Sequence, residues 1–342
     1  MKNHKTTIFG IGLFILKNNY LIFTYFFIPL LMREYQNITY LMPLIFIPIA
    51  LILVLVLPKK IGVINYEEII NRSFFAKFSY YTTQFISFIL NVLICSYTVQ
   101  RMFLYESHIV IFIVAVLLVT IYISSTKEEV IFNSASMLFI VAIVLVIIPI
   151  FIAIDVKDFT LVKPLYEFKG IAFLWIIYFI LDSISIILTK VETPKIMTKT
   201  KLVIPILIML IFMSLDLLNI IVITGDSYLL DNEFLGFFTL FIQDTINYIG
   251  NLGLFFLFII PIIGTFKAGF SLRRIKNGFN INNSILSNSL IFIVTAVLVF
   301  VIVSLLDVWI FSYYMILISI ILLSVVYLFI ILNRSPNYEI RF

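Results

Sequence analysis

The chain has 342 residues, of which 63% are hydrophobic and 12% charged, whereas a soluble domain is nearer half apolar and a quarter charged. The excess gathers in long apolar runs. About ten crossings of ~20 residues, with their connections, use up the length and leave no stretch for a soluble catalytic domain. The net charge of +5 falls in short loops and reads as membrane topology, not as a nucleic-acid patch.

Cys95 is the single cysteine, so neither an intrachain disulfide nor a thiolate metal site is expected. His4 in the N-terminal segment and His108 at a span boundary do not make a metal set, and no cofactor is expected. The opening Met1-Lys2-Asn3-His4-Lys5 and the apolar run after it resemble a signal peptide. No small-residue cleavage site follows and the run is too long, so it reads as a first span.

Apolar runs place spans at Ile8–Met32, Tyr40–Leu57, Tyr80–Val99, Ile109–Ile123 and Val130–Ile154. Further spans follow at Ile171–Leu188, Leu202–Thr224, Gly250–Phe270, Ile285–Leu306 and Trp309–Leu332. The fourth is short. Asp231 to Tyr248 is apolar but interrupted by Asp244 and Asn247. It reads as an extracellular helix leading into the eighth span, or as a re-entrant element. Lysine and arginine set the orientation. With the N-terminus inside, only Arg33, Arg101, Lys157, Lys163 and Lys169 fall outside, and Lys17 and Lys267 lie within spans. The other sixteen of the 23 basic residues then face the cytoplasm. Both termini are therefore expected there, with an even number of crossings.

No Gly-rich phosphate loop, nucleophile elbow or zinc motif occurs. The paired carboxylates Glu67-Glu68 and Glu128-Glu129 fall in basic cytoplasmic loops and read as solvated charges. The chain is not expected to be an enzyme.

Polar groups in hydrocarbon are costly, so those inside spans carry the information. The first cluster is Lys17-Asn18-Asn19, followed by Tyr20, in span one. A charge and two helix-poor amides between two short apolar pieces fit a discontinuous helix. They also fit a continuous helix whose Lys17 snorkels to the surface. The second is Asp182-Ser183, with Ser185, in span six. A lone Asp at a helix centre costs about 2.5–3.5 kcal/mol on insertion scales, so it needs a partner or water, and an interhelical hydrogen bond would also serve. The third is a stripe on span three: Tyr80, Gln84, Ser87, Asn91, Cys95 and Thr98 recur at steps of three or four and share one helix face. Such a stripe lines a bundle interior or wet path, or glues helices together. Asp216 in span seven is a fourth candidate. Spans one and six open the two halves of a ten-span chain. Polar interruptions at matching positions of two halves are the sequence pointer to a mid-membrane site in an inverted-repeat transporter. Neither interruption contains Gly or Pro.

Four stretches carry a family resemblance: Pro58-Lys59-Lys60-Ile61-Gly62-Val63-Ile64-Asn65-Tyr66-Glu67-Glu68-Ile69 after span two; Asp158-Phe159-Thr160-Leu161-Val162-Lys163-Pro164, with Gly170, before span six; Asp182 within it; and Val191 to Lys195 after it. On these the chain resembles the B subunits of spore germinant receptors (the GerAB-type proteins), within the amino acid–polyamine–organocation transporter superfamily. Ile180-Leu181 stand where the family has a Gly-aromatic pair. Lys17-Asn18-Asn19-Tyr20 lies near the place of the Gly-x-Gly segment that precedes the proline matched by Pro29.

The resemblance implies an all-α membrane fold of two inverted five-helix repeats, residues 1–154 and 171–332, with discontinuous helices one and six. It implies a subunit of the spore inner membrane that senses a small nutrient such as an amino acid. Its partners would be an A-type membrane subunit and a C-type lipoprotein. The alternative is a secondary transporter of amino acids or another small solute; a third is a scaffolding subunit without ligand. The expected ligand residues are Lys17, Asn18, Asn19, Tyr20, Gln84, Asn91, Asp182 and Ser183. Asp182 is expected beside the ligand's amine or paired with Lys17.

Overall fold

The computed structural model describes Asn19 and residues 41–57, 70–103, 107–127, 130–131, 133–134, 137, 173–190, 199–224, 252–306 and 308–332. Among the described residues all regular structure is helical. The order is α1 (Met42–Ile45), α2 (Ile47–Val56), α3 (Phe74–Phe103), α4 (Ile109–Ser125), α5 (Phe173–Lys190), α6 (Lys199–Thr224), α7 (Leu252–Gly278), α8 (Ile285–Leu305) and α9 (Val308–Leu332). Among the described residues three stretches are long and apolar enough to cross a membrane: Phe74–Gln100 in α3, Ile285–Leu305 in α8 and Ile310–Leu332 in α9. A crossing needs about 20 residues at 1.5 Å each, which these supply.

The spans expected from hydropathy coincide with helices wherever the chain is described. Span two is divided at Phe46 between α1 and α2, with Pro43 and Pro48 in their first turns, where the missing N–H costs no helical bond. The span-five residues beyond Met137, and the segment Asp231 to Tyr248, lie outside the described residues.

The eighth span departs from the expectation. Its helix, α7, runs to Gly278 instead of stopping at Phe270, so Arg273, Arg274 and Lys276 are helical and not loop residues. Apolarity marks the lipid-facing part of a helix, not the end of its hydrogen bonding. The true stop is chemical. Asn280 adopts a left-handed backbone, φ 52°. The Ile281 N–H then bonds to the Lys276 carbonyl at 2.8 Å and the Asn280 N–H to the Asn277 carbonyl at 3.3 Å. This is the paired closure that satisfies a helix's last carbonyls. Ser284 then caps α8, its hydroxyl accepting from the Ser287 N–H at 3.2 Å.

α3 is the hub. Its apolar window is 78% buried, against 17% for α8, which puts α3 inside the bundle and α8 at its edge. α7, α9 and α4 all pack on α3, and α9 also packs on α5. Ser87 of α3 meets Ser271 of α7, and Cys95 meets Pro261, so the two helices run antiparallel. α4 lies parallel to α7: Thr120 and Ile123 meet Gly269, and Ser124 meets Arg273 and Lys276. Gly269 permits that approach, since a Cβ there would stand 2.5 Å from Ile123 Cγ2 and 3.2 Å from the Thr120 carbonyl oxygen.

Candidate functional site

Span six was expected to break at Asp182-Ser183. Instead α5 is one helix through both residues. The side chains remove the need for a break. The Ser183 hydroxyl donates to the Phe179 carbonyl at 2.6 Å and the Ser185 hydroxyl to the Asp182 carbonyl at 2.9 Å, so both are satisfied within the helix. No glycine or proline weakens the turn. The matching break at Lys17-Asn18-Asn19 lies outside the described residues, apart from Asn19. Lys17, Asn18 and Tyr20 lie there too. Asp216 falls within α6.

Asp182 was expected beside a ligand's amine or paired with Lys17, which lies outside the described residues; among the described residues its partner is Lys267. Lys267, from the middle of α7, places its ammonium 3.1 Å from Asp182 Oδ2. Both side chains are 3% exposed, so water does not screen the pair. The sequence signal for this partner was present. Lys267 is one of two lysines within spans, and a charge there demands an opposite one.

Asn19 completes the arrangement. It is fully buried. Its Oδ1 accepts from the Lys267 ammonium at 3.1 Å. Its Nδ2 donates to the Ser183 hydroxyl at 3.0 Å and reaches the Phe179 carbonyl at 3.5 Å. Met209 of α6 lies against the same group, its Sδ 3.6 Å from Asn19 Nδ2 and 3.5 Å from Ser183 Oγ. The amide orientation follows from the network, because an ammonium can face only the oxygen. The Tyr178 ring lies beneath, its centroid 5.9 Å from Lys267 Nζ, within range of a cation–π attraction. Asn19 and the helices α5, α6 and α7 thus meet at one charged centre. Of the expected ligand residues, the structure brings Asn19, Asp182 and Ser183 together and adds Lys267 and Tyr178.

The residues of the α3 stripe are all buried: Tyr80, Gln84, Ser87, Asn91, Cys95 and Thr98 are each at most 4% exposed, but α3 is buried on every side from Ile86 to Ser96, so burial does not single out this face. Part of it is interhelical glue. Ser271 Oγ lies 3.3 Å from Ser87 Oγ, and the Cys95 thiol donates to the Pro261 carbonyl at 3.4 Å. Asn91 differs. Its Nδ2 donates to the Ser87 carbonyl at 2.7 Å, but its Oδ1 is buried and has no hydrogen-bond partner among the described residues. Asn91 is midway between Ser87 and Cys95. The antiparallel register therefore sets it opposite the turn of α7 that carries Lys267.

A second basic cluster closes one end of the bundle. Arg273 donates to the carbonyls of Ser124 (3.3 Å) and Thr126, at the C-terminus of α4, where a helix presents partial negative charge. Lys276 donates to Ser124 Oγ at 2.8 Å, Asn288 Oδ1 at 2.8 Å and Asn283 Oδ1 at 3.2 Å. All three acceptors are neutral. Burial, and then the Arg273 charge nearby, pull the Lys276 ammonium down to about 8.

No protein-family model matches the chain, and no curated protein matches it.

Proposed function

We propose that the chain is a ten-span membrane protein of two inverted repeats that binds a small zwitterionic nutrient at the Asn19–Asp182–Lys267 centre. In this reading it serves as the B-type subunit of a spore germinant receptor and catalyses no reaction. The observation that carries the reading is the buried Asp182–Lys267 pair, held by an amide from a third span. A buried ion pair contributes little to stability against an apolar replacement, so its presence calls for a functional reason. A zwitterion suits it. The ligand's ammonium can take Asp182 while its carboxylate takes Lys267, and no net charge enters the bundle. Because α5 is unbroken, recognition rests on side chains rather than on backbone groups freed within span six. The antiparallel α3–α7 and parallel α4–α7 directions agree with alternating crossings of spans three, four and eight. The resemblance in the loops around spans two and six supports the receptor role. Binding would shift the chain between two arrangements of these spans and so signal to the A-type and C-type partners.

Spores carrying Asp182→Asn test this. The reading expects loss of the optical-density drop after nutrient addition, and normal germination would overturn the site. A secondary transporter would use the same centre. Uptake of labelled amino acid into liposomes holding this chain alone would favour transport over sensing.

A further inference from the structure

Lys267 is surrounded as a ligand is. Its ammonium has a carboxylate oxygen at 3.1 Å, an amide oxygen at 3.1 Å and an aromatic face at 5.9 Å. Carboxylate, carbonyl and π-face converging on one nitrogen is the chemistry that recognises a primary ammonium. The receiving groups are also held independently of the lysine. Asn19 Nδ2 is anchored on Ser183 and Phe179, so its Oδ1 is already aimed at the place where Nζ sits. Tyr178 is buried and packs edge-on against Phe179.

We propose that Asp182, Asn19 and Tyr178 form a primary-ammonium site that the chain fills with its own Lys267, so that a ligand's ammonium enters by displacing it. The displacement step rests on the ligand-site reading above; the occupancy rests on the geometry alone. A second observation fits a lysine with two resting places. The Asn91 side-chain carbonyl is buried and has no partner among the described residues, and the register sets it opposite the turn bearing Lys267. A displaced ammonium would find an unused acceptor there. The resident lysine would also set a threshold, because only a ligand that outcompetes a tethered ammonium is admitted.

Two truncations of the lysine leave gaps of known chemistry. Lys267→Ala deletes three carbons and the ammonium, the outline of n-propylammonium. Lys267→Met keeps a side chain of nearly the same length and deletes only the ammonium, the outline of the ammonium ion. The test is thermal unfolding of the full chain in lipid nanodiscs. n-Propylammonium chloride is expected to raise the Tm of Lys267→Ala by several degrees, while n-propanol and sodium chloride at equal concentration do not. Ammonium chloride is expected to do the same for Lys267→Met. Wild type should not respond, and adding Asp182→Asn to either variant should abolish the effect. An equal response to sodium chloride would show a site for positive charge alone and overturn the proposal, as would no response. If a variant cannot be purified folded, its matching cation is supplied during extraction. Recovery of monodisperse protein only with that cation supports the site, and no recovery overturns it. The outcome does not depend on whether wild type binds any nutrient, so the two readings fail separately.

Discussion

Asp182 and Lys267 stand 85 residues apart in the chain and 3.1 Å apart in space, each buried on a different helix. Neither charge is tolerable there alone. Removing one partner of a buried pair costs about 3–5 kcal/mol, whereas removing both is often near neutral. Lys267→Met and Asp182→Asn are therefore each expected to lower the Tm in detergent markedly. The double variant should recover most of the loss. A double variant as unstable as the sum of the two would show that the residues act independently.

The α4–α7 contact depends on the absence of a side chain at Gly269. A Cβ there would meet Ile123 Cβ at 2.8 Å and the Thr120 carbonyl oxygen at 3.2 Å. Gly269→Ala is expected to cost about 1–3 kcal/mol by overpacking. Adding Ile123→Ala should return only part of it, since alanine keeps the Cβ that stands 2.8 Å away and the Thr120 backbone stays in place. Thermal unfolding of the three variants checks both statements.

The sequence made the helices legible and the site only in part. Each expected apolar run falls on a helix wherever it is described, because long apolar runs favour helices that can bury them. They missed the last two turns of α7, because Arg273 and Lys276 are polar yet helical. Asp182 stood out as a charge that needed a partner, but periodicity could not say which. Lys17 or a ligand's amine were the partners expected, and α7 supplies Lys267 through packing that no local pattern encodes. The break expected in span six failed for a related reason. Two serines that read as interruptions are satisfied by carbonyls of their own helix.

Asn91 carries an acceptor with no partner among the described residues. An unsatisfied buried polar group costs about 1–3 kcal/mol. Asn91→Leu, of similar branched shape, is expected to leave the Tm unchanged or raise it. A fall would mean that the carbonyl is already engaged in the resting state. Unfolding scans with and without nutrient would also show whether the variant loses ligand-induced stabilisation, as a landing place for Lys267 requires.

Lys276 gives the bundle a pH dependence of defined sign. Its ammonium titrates at about 8 when folded, below its ordinary value of 10.5. Below pH 8 the folded and unfolded chains both hold the proton, and the penalty of burying the charge is fully present. Between these two values the unfolded chain binds more protons, so stability rises with pH. The Tm difference between wild type and Lys276→Gln is expected to shift in favour of wild type from pH 8 to 10. A constant difference would show that Lys276 does not titrate in that window.

The most direct measurement is a scan of zwitterionic amino acids against wild type and Asp182→Asn in nanodiscs, read by thermal unfolding. The account predicts that at least one amino acid raises the Tm of wild type and leaves the variant unmoved. Equal stabilisation of both proteins would contradict it, as would no response of wild type to any of them.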